Sequence, residues 1–439
     1  MSDSPKSGAR GRAIDVLVAV AEGAPAQAAL SDHLDAHPPL EAQDRGLCTE
    51  LVYGTLRLQR RLDAWLAAAS DRGLEGQDEA TLAALRIGAY QLAALSRVPD
   101  FAALSATVEA AKGRAPARRI PYLNAVLRRL GRERPWEQVP LPALLAPWQE
   151  RRVRAWADAC RIDGDALLEA HAAAAPVHVH VTAGARDDAA ARFAADGVEV
   201  ARVGALPGVF EIVGGSFWSS ELLRTSRAIA QDAASAAIAD WLGAEAGERV
   251  LDACAGRGAK SLFLAATGAQ VTALDVASGK LEAATALAEA AGCPLAGTLA
   301  VDVADADALG AALPQDAFDA ALVDAPCSGL GTLRRRPEIG HRRSMADVVR
   351  LSRLQAAILR AVAARVRPGG RLVYAVCTLT EEEGPGVVAD FLADYPEWQR
   401  EPAAAPIPSA WSDADGALRS HPLASGADCF FAVRLRRAT

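Results

Sequence analysis

Apolar runs that end in a chemically active side chain recur along the C-terminal half of this 439-residue chain, and they constrain its fold more than any other feature. The run at 320–323 leads to Asp324, and the run at 371–376 leads to Cys377. Such runs, bounded by Gly or Pro, are typical of buried parallel strands. Helical segments separate them. The region from residue 229 onward is therefore predicted to be a doubly wound α/β domain.

The remaining chain is predicted to contain two further parts. Residues 9–134 have helical periodicity without an alternating strand run, and a cluster of prolines follows. The alternating segment 177–183 predicts a half-exposed strand within a small α+β module. We therefore expect a helical domain at 1–140, the module at 147–226 and the α/β domain at 227–439. In the last we expect strands at 249–253, 270–274, 298–301, 320–323, 371–376 and 430–435, and a long helix at 345–366 with Val349, Leu354, Ile358, Leu359, Val362 and Val366 on one face.

The composition excludes several classes of protein. Seven cysteines are scattered without a C-x-x-C pair, and histidines do not cluster at ligand spacing, which argues against a disulfide framework and a zinc site. No uncharged stretch has the length of a membrane span, and the N-terminus lacks the apolar core of a signal peptide. We therefore expect a cytoplasmic protein with reduced thiols, without a bound metal and without contact to a membrane.

Two strongly basic stretches interrupt a chain whose net charge is −7. Residues 112–134 carry eight basic side chains against Glu133, and residues 334–371 carry eleven arginines against Glu338 and Asp347. Either stretch can be a solvated helix face. Together, in an acidic protein, they predict a local surface for a polyanion such as RNA.

The segment 250–261 has the pattern of a nucleotide-binding turn. A strand ends at Asp252, and Gly256 and Gly258 precede a helix, which allows a ligand to approach the backbone closely. A Walker A loop is excluded because Ala259 precedes the lysine, and a dinucleotide loop lacks its third glycine. The turn of an S-adenosylmethionine-dependent methyltransferase fits best.

Carboxylates at the ends of later strands support this interpretation. Asp275 closes the second strand, where a carboxylate can hold two ribose hydroxyls, and Asp302 could accept a hydrogen bond from the adenine amino group. For Asp252 and Asp302, helix capping or loop solvation is the simpler explanation. For Asp275 and Asp324, at strand ends of one sheet, a functional role is favoured.

Cys327 and Cys377 follow two predicted strands and are expected to act as a pair. Pro326 and Gly329 fix the turn that carries Cys327, as positioned chemistry requires. A strand-end thiol can form a transient bond to an electrophilic carbon while a second group moves protons. The other thiols are predicted to pack in cores: Cys48, Cys160, Cys293, Cys429 and, with its backbone facing the cofactor, Cys254.

These motifs together resemble the Nop/Sun family of RNA 5-methylcytosine methyltransferases, in its bacterial RsmB-type branch. The resemblance is carried by AQDAASAAIADWL (230–242), VLDACAGRGAKS, DAPCSGLGTLRRRPEI, LVYAVCTLTEEE and DCFFAVRL, in the family's order. DRGLCTELVYGTLR (44–57) and LNAVLRRL (123–130) resemble the family's NusB-like RNA-binding domain. The chain departs from the family pattern at four places. The family's AAPGGKT is AGRGAKS here, its TCS is VCT, and its EN is Glu383-Gly384. VHVHVTAG stands where the family has a strand that ends in arginine and asparagine.

The resemblance implies a different chemical role for each of three strand-end residues. Cys377 would attack C6 of a cytosine, Cys327 would assist loss of the C5 proton and release of Cys377, and Asp324 would hydrogen-bond the cytosine edge. The residues implied in binding S-adenosylmethionine are Cys254, Ala255, Gly256, Arg257, Gly258, Ala259, Lys260, Asp275, Asp302 and Asp324.

The substrate implied by the resemblance is 16S rRNA, free or in an early assembly intermediate, bound by a monomer. Two alternatives stay open at this point. The same chemistry could act on tRNA or on another rRNA site. The chain could also be a noncatalytic RNA-binding assembly factor whose altered first loop has lost turnover.

Overall fold

The computed structural model describes residues 8–36, 39–95, 99–138, 141–313 and 317–439. The chain divides into two compact units. The first comprises residues up to 151 with the short segments 171–174 and 333–342, and the second comprises 152–170, 175–332 and 343–439. Within these described ranges, no helix has the length and apolar character needed to cross a membrane.

The first unit is built from helices packed around one apolar core. Leu51, Leu62, Leu85 and Leu127 have no exposed surface there, which fits the helical periodicity of the sequence. Asp78 caps one helix, its carboxylate accepting a hydrogen bond from the Thr81 N–H at 2.9 Å. The helices are α1 (Ala9–Ala21), α2 (Ala26–Asp35), α3 (Ala42–Ala68), α4 (Glu79–Ala94), α5 (Asp100–Ala111) and α6 (Ile120–Glu133), followed by α7 (Pro147–Cys160), which extends beyond the unit.

A segment far along the chain, 333–342, completes the first unit. The Arg342 guanidinium donates to the carbonyls of Gly23 at 3.2 Å and Ala24 at 2.6 Å, beyond the end of α1. The backbone carbonyl of Leu56 lies 2.8 Å from His341 Nε2. Basic side chains satisfy free carbonyls near a helix C-terminus well. In the basic stretch 334–371, Arg342 and His341 therefore stabilise the folded structure of the first unit.

The second unit contains a small antiparallel sheet with strand order β2-β3-β1-β4. Its strands are β1 (His178–Val181), β2 (Glu199–Arg202), β3 (Val209–Gly214) and β4 (Ala228–Ala230), and the short helices before and between them are α8 (Gly164–Ala170), α9 (Ala189–Ala195) and α10 (Glu221–Arg224). The predicted strand in 177–183 exists, but the expectation that it is half-exposed is wrong, because β1 is interior and buried on both faces.

Polar partners make the burial of His180 in β1 tolerable. His180 stacks on Phe263 with ring centroids 3.5 Å apart, and its ring nitrogens lie 2.9 Å from the Gln231 amide oxygen and the Arg186 guanidinium. Burial lowers the pKa of His180, so the ring is neutral. Buried polar groups are tolerated when hydrogen-bonded. The alternation of histidine and valine therefore reflects two buried faces.

The rest of the second unit is a large mixed sheet with helices on its faces, which confirms the predicted Rossmann-like α/β fold. Its strand order is β10-β12-β9-β8-β5-β6-β7, with β11 paired to β12. Strands β5 to β9 pair in parallel, and β12 and β10 extend the sheet antiparallel. The strands are β5 (Arg249–Asp252), β6 (Gln270–Asp275), β7 (Gly297–Ala300), β8 (Phe318–Asp324), β9 (Val366–Val376), β10 (Trp398–Glu401), β11 (Leu418–Arg419) and β12 (Phe431–Arg437).

The helices of this part differ from the sequence prediction in one informative place. The long helix predicted at 345–366 is α16 (Met345–Ala363), and Val366 begins β9 instead. Ile358, Leu359 and Val362 are buried as predicted, but Val349 is 41% exposed, and Val348 and Leu351 are buried in the first part of the helix instead. The other helices are α11 (Ala233–Trp241), α12 (Ala259–Ala265), α13 (Ser278–Ala290), α14 (Ala306–Ala312), α15 (Ile339–Arg342, in the first unit), α17 (Pro385–Asp394) and α18 (Pro422–Ser425).

Candidate active site

Cys327 and Cys377 lie side by side at the carboxyl ends of two neighbouring parallel strands. Residue Asp324 at the end of β8 pairs with Ala375 near the end of β9, which brings the two turns together. The two Sγ atoms are 3.3 Å apart, and both thiols are only partly accessible. The sequence predicted two thiols at strand ends, and the structure places them within direct hydrogen-bonding distance.

The pKa of Cys327 lies well above its ordinary value. The largest cause is the hydrogen bond with Cys377, followed by burial and by the charges of Cys377 and Glu383. Either sulfur can be the donor in the shared hydrogen bond. Because the thiolate is the nucleophilic form of cysteine, a neighbouring thiol at this distance is placed to donate a hydrogen bond to it.

Asp324 reaches Lys260 next to the thiol pair. The Lys260 ammonium donates to Asp324 Oδ2 at 2.5 Å and lies 5.7 Å from the centre of the Phe430 ring. Burial acts to lower the pKa of Lys260, but the charge of Asp324, its hydrogen bond and the charges of Asp252 and Cys377 outweigh this effect and raise it. Lys260 is therefore a cation fixed beside Asp324, whose carboxylate oxygen accepts its hydrogen bond.

The first loop of the α/β domain connects β5 to α12. The Ala255 N–H donates to the carbonyl of Leu274 at 2.8 Å, and the Gly258 N–H donates to the carbonyl of Ala255 at 2.9 Å. Gly256 and Gly258 have φ angles of 55° and 83°, which favour glycine. Arg257 is exposed, and Ala259 begins α12. The loop therefore keeps a tight turn although a proline and a glycine of the family pattern are replaced.

Three strand-end carboxylates surround this loop in different environments. Asp275 is buried and accepts hydrogen bonds from the N–H groups of Gly256 at 3.2 Å and Ala277 at 2.9 Å. Asp302, beyond β7, is exposed and accepts from the Ala304 N–H at 3.0 Å. Burial raises the pKa of Asp252 to about 6, and the Ser261 hydroxyl donates to its Oδ2 at 2.6 Å. Asp275 is thus preorganised, Asp302 is accessible, and Asp252 stabilises the loop from within.

The electrostatics of the loop fit the cationic cofactor S-adenosylmethionine. Burial raises the pKa of Cys254 most strongly, and the charges of Asp252, Asp324 and Asp275 raise it further. These carboxylates attract a sulfonium cation, although Lys260 pairs with Asp324 and Lys280 pairs with Asp275. The space beside Gly256 is open, since an added Cβ there would meet nothing within 4 Å. The Cys254 thiol itself stays neutral and is therefore a poor competitor for the methyl group.

The two cysteine turns are also joined by a residue to which the sequence analysis assigned no role. Glu383 is completely buried, and its carboxylate accepts hydrogen bonds from Ser328, next to Cys327, and from Thr378, next to Cys377. Its signal in the sequence is a glutamate six residues after the second strand-end cysteine. The resemblance places Glu383 at the glutamate of the family's EN motif, but the sequence does not reveal which residues its carboxylate contacts.

The other cysteines show no comparable arrangement. Cys48 and Cys429 are buried, and Cys160 and Cys293 are half-buried. Burial raises the pKa of Cys48 to about 11 and that of Cys160 to about 12, which keeps both neutral. In the part of the chain that the structure describes, no group of three or more His, Cys, Asp or Glu side chains is placed to hold a metal ion.

Gly256 and Gly258 provide a matched pair for testing the loop. An added Cβ at Gly258 would lie 2.5 Å from Ala284 Cβ, whereas the space at Gly256 is open. We expect Gly258→Ala to destabilise the second unit by about 3 kcal/mol and to abolish cofactor binding, and Gly256→Ala to cost about 1 kcal/mol through its backbone conformation alone. Urea unfolding and calorimetry with S-adenosylmethionine measure both effects. Equal losses in the two variants would contradict this account.

Comparisons with known proteins agree with this geometry. Residues 239–436 match the family model described as 16S rRNA methyltransferase RsmB/F, and residues 7–132 match the NusB family. The chain is 37% identical over 434 residues, covering 98% of this chain and 97% of the relative, to ribosomal RNA small subunit methyltransferase B of Thermus thermophilus. It is 30% identical over 413 residues to a probable ribosomal RNA small subunit methyltransferase B of Bacillus subtilis, covering 91% and 92% of the two chains.

A solved structure supports the fold independently. The crystal structure of PH0851 superimposes with a TM-score of 0.79 at 23% identity, covering the whole of both chains. At this identity the likeness concerns the fold, whereas the curated relatives establish the family. The chain belongs to the RsmB/F family of 16S rRNA methyltransferases, with a NusB-family N-terminal region and S-adenosylmethionine as its cofactor.

Proposed function

We propose that this enzyme methylates C5 of a cytosine in 16S rRNA through a covalent bond between Cys377 and C6 of the base. The observation that carries the proposal is the 3.3 Å approach of the Cys377 and Cys327 sulfur atoms beside the Lys260–Asp324 pair. Carbon 5 of cytosine is a weak nucleophile until a thiolate adds to C6. The pair provides one thiol for this addition and a second for the steps that follow it.

The first half of the reaction builds the bond to the base. The Cys377 thiolate adds to C6, and the electron pair of the C5–C6 double bond becomes available at C5. Asp324, held by Lys260, accepts a hydrogen bond from the cytosine edge and orients the ring. S-Adenosylmethionine, when bound, supplies an electrophilic methyl group. C5 would take this methyl group with its new electron pair, the bond from the methyl group to the sulfonium sulfur would break with its electrons left on that sulfur, and the Cys377 sulfur would remain bonded to C6.

The second half restores the aromatic base and frees the enzyme. Once its sulfur is bonded to carbon, Cys377 no longer supplies the hydrogen bond that is the largest cause of the raised pKa of Cys327, nor the charge that adds to it after burial. The Cys327 proton is then lost to water more readily, and the resulting thiolate assists removal of the C5 proton. The C5–H electron pair reforms the C5–C6 double bond, and the S–C6 bond breaks to return Cys377 as a thiolate.

We further propose that the three parts at 1–140, 147–226 and 227–439 act on free or early-assembly rRNA as a cytoplasmic monomer. The exposed face of α6 supports an RNA-binding role for the first part. Arg128 and Arg132 are exposed and one helical turn apart, and Arg128 donates to the Asn124 amide oxygen rather than to a carboxylate. These charges are therefore available to phosphates.

Neutralising this face tests the RNA contact. We expect Arg128→Gln/Arg132→Gln to weaken RNA binding about tenfold and to reduce the salt slope of log Kd by about 2, because each arginine neutralises about one phosphate. Filter binding to a 16S rRNA transcript over a range of salt concentrations measures both quantities. Arg154→Gln removes an exposed charge that pairs with Asp165, and it serves as the control. An unchanged salt slope in the double variant would contradict the contact.

A mechanism-based RNA tests the covalent route directly. A 16S rRNA transcript made with 5-fluorocytidine carries fluorine at C5, so the methylated adduct has no C5 proton to lose and the S–C6 bond persists. We expect a protein–RNA band on denaturing gels that requires S-adenosylmethionine, and 5-methylcytosine in digests of ordinary transcripts. Methylation of ordinary RNA without any covalent band on the fluorinated transcript would overturn the proposal.

A further inference from the structure

The carboxylate of Glu383 accepts five hydrogen bonds. It lies between the turn after β8, which carries Cys327 (the Cys327 turn), and the turn after β9, which carries Cys377 (the Cys377 turn). The Ser328 N–H donates to Oε1 at 2.7 Å, and the Ser328 hydroxyl donates to Oε2 at 2.6 Å. The hydroxyls of Thr378 and Thr380 each donate to Oε2 at 2.8 Å. The Gln355 amide donates to Oε1 at 3.1 Å. One side chain therefore holds the residues that directly follow Cys327 and Cys377.

Folding stability alone does not explain why a carboxylate is buried at position 383. Glu383 has no exposed surface, and its five hydrogen bonds come from neutral donors. Removing an ionised carboxylate from water is costly, and hydrogen bonds from several donors offset that cost. A neutral side chain of the same size would avoid the cost altogether. Charged groups kept in such places are common at functional sites.

The neighbouring contacts fix the same turn from other directions. The Gln355 amide also donates to the carbonyl of Pro326 at 2.9 Å, and Arg343 donates to the carbonyl of Ser328 at 3.2 Å. The Tyr374 hydroxyl donates to the backbone carbonyl of Glu383 at 2.6 Å, which anchors the backbone that carries the carboxylate. The Cys327 turn is thus bonded on both sides of the thiol, with Glu383 at the centre.

We propose that Glu383 is a positioning residue that fixes the Cys327 turn against the Cys377 turn, so that Cys327 can assist release of the methylated base. This inference rests on the proposed thiol chemistry. It assigns Glu383 to the release step because two of its five hydrogen bonds come from Ser328, the residue next to Cys327. Cys377 directly follows the last residue of β9, whereas Cys327 lies further beyond the end of β8, which is Asp324.

The test replaces Glu383 by glutamine, which preserves the shape and removes the charge. We expect kcat for methylation of a 16S rRNA transcript to fall about 100-fold, the loss typical of a catalytic group misplaced by about 1 Å. We expect the KM values for RNA and S-adenosylmethionine and the melting temperature to stay near those of the wild type. A covalent protein–RNA adduct on ordinary cytosine should accumulate on denaturing gels, because release is the slowed step.

Glu381→Gln is the matched control, since Glu381 lies two residues away, is 49% exposed and pairs with Arg419. It should leave kcat and adduct levels unchanged. A wild-type kcat in Glu383→Gln would overturn the inference, as would a reduced kcat without an adduct, since a purely structural loss lowers all species together. If Cys377→Ser is fully active, the proposed covalent chemistry is rejected. If Cys377→Ser is inactive but Glu383→Gln has the wild-type kcat, only the positioning role of Glu383 is rejected.

A milder variant decides the matter if Glu383→Gln does not fold. Thr380→Val keeps the shape of the side chain and removes one of the five donors. We expect kcat to fall about fivefold, in line with the loss of one hydrogen bond, with a detectable adduct and an unchanged melting temperature. Wild-type kinetics in Thr380→Val, with Glu383→Gln unfolded, would reject the inference.

Discussion

Replacing Cys377 by serine is expected to lower the rate of methyl transfer at least about 10³-fold, because the variant loses the nucleophile that activates the base. The hydroxyl of serine is far less acidic than a thiol and does not form the required anion near neutral pH. Cys377 does not belong to the β5–α12 loop, so binding of S-adenosylmethionine should persist. The decisive measurement is transfer of labelled methyl groups to an unmodified 16S rRNA transcript, with cofactor binding followed by calorimetry.

Cys293→Ser provides the matched control for this experiment. Cys293 is half-buried, and its Sγ lies 3.7 Å from the carbonyl of Ala291, so the substitution makes the same atomic change away from the strand ends. Its activity should equal that of the wild type. Full activity in Cys377→Ser would reject covalent catalysis, and parallel loss of cofactor binding would show that the variant had lost its structure instead.

The strand-end residues could be predicted from sequence because two local signals coincide there. An apolar run followed by Pro or Gly marks the end of a buried strand, and the residue at that end is placed at the edge where α/β enzymes bind ligands. Asp275, Asp324 and Cys377 were located on this basis. The 3.3 Å separation of the two thiols could not be, because it depends on the pairing of Asp324 with Ala375 across neighbouring strands.

The sequence does not predict the role of a side chain when that role depends on partners far away in the chain. The arginines of 334–371 were predicted to form an RNA surface, but Arg371 binds Glu248, Arg367 binds Asp319 and Arg360 binds Asp394. Charge runs in a sequence do not reveal which carboxylates will lie opposite them. The same limit applies to Glu383, whose five donors come from four residues in different parts of the chain.

The two histidines of β1 illustrate a different limit. Their alternation with valine is typical of a strand with one face in water. In the structure both faces are covered: the Gln231 amide oxygen lies 2.9 Å from His180 Nδ1, and the Ala233 N–H donates to His178 Nδ1 at 3.3 Å. A period of two shows that the two faces of a strand differ in polarity. It does not show whether the polar face contacts water or polar groups of the protein.

Replacing Cys327 by alanine is expected to give the opposite phenotype to Cys377→Ser, with a covalent RNA adduct that persists on denaturing gels. Cys377 can still add to C6, and C5 can still accept the methyl group. Release should slow by about 100-fold or more, because the group that assists removal of the C5 proton is missing. Ordinary cytosine RNA and S-adenosylmethionine should suffice to form the adduct, without a fluorinated base.

The double variant Cys327→Ala/Cys377→Ser supplies the control that fixes which sulfur is bonded to RNA. It should form no adduct, because the bond-forming thiol is absent, even though both single variants and the double variant share an intact cofactor loop. Peptide mapping of the trapped species should place the nucleotide on Cys377. An adduct in the double variant, or a nucleotide found on a residue other than Cys377, would reject the assignment of Cys377 as the bond-forming thiol. Rapid turnover in Cys327→Ala would instead leave proton removal to Asp324 or solvent. In that case Cys327 would act only through the hydrogen bond that spans the two sulfur atoms.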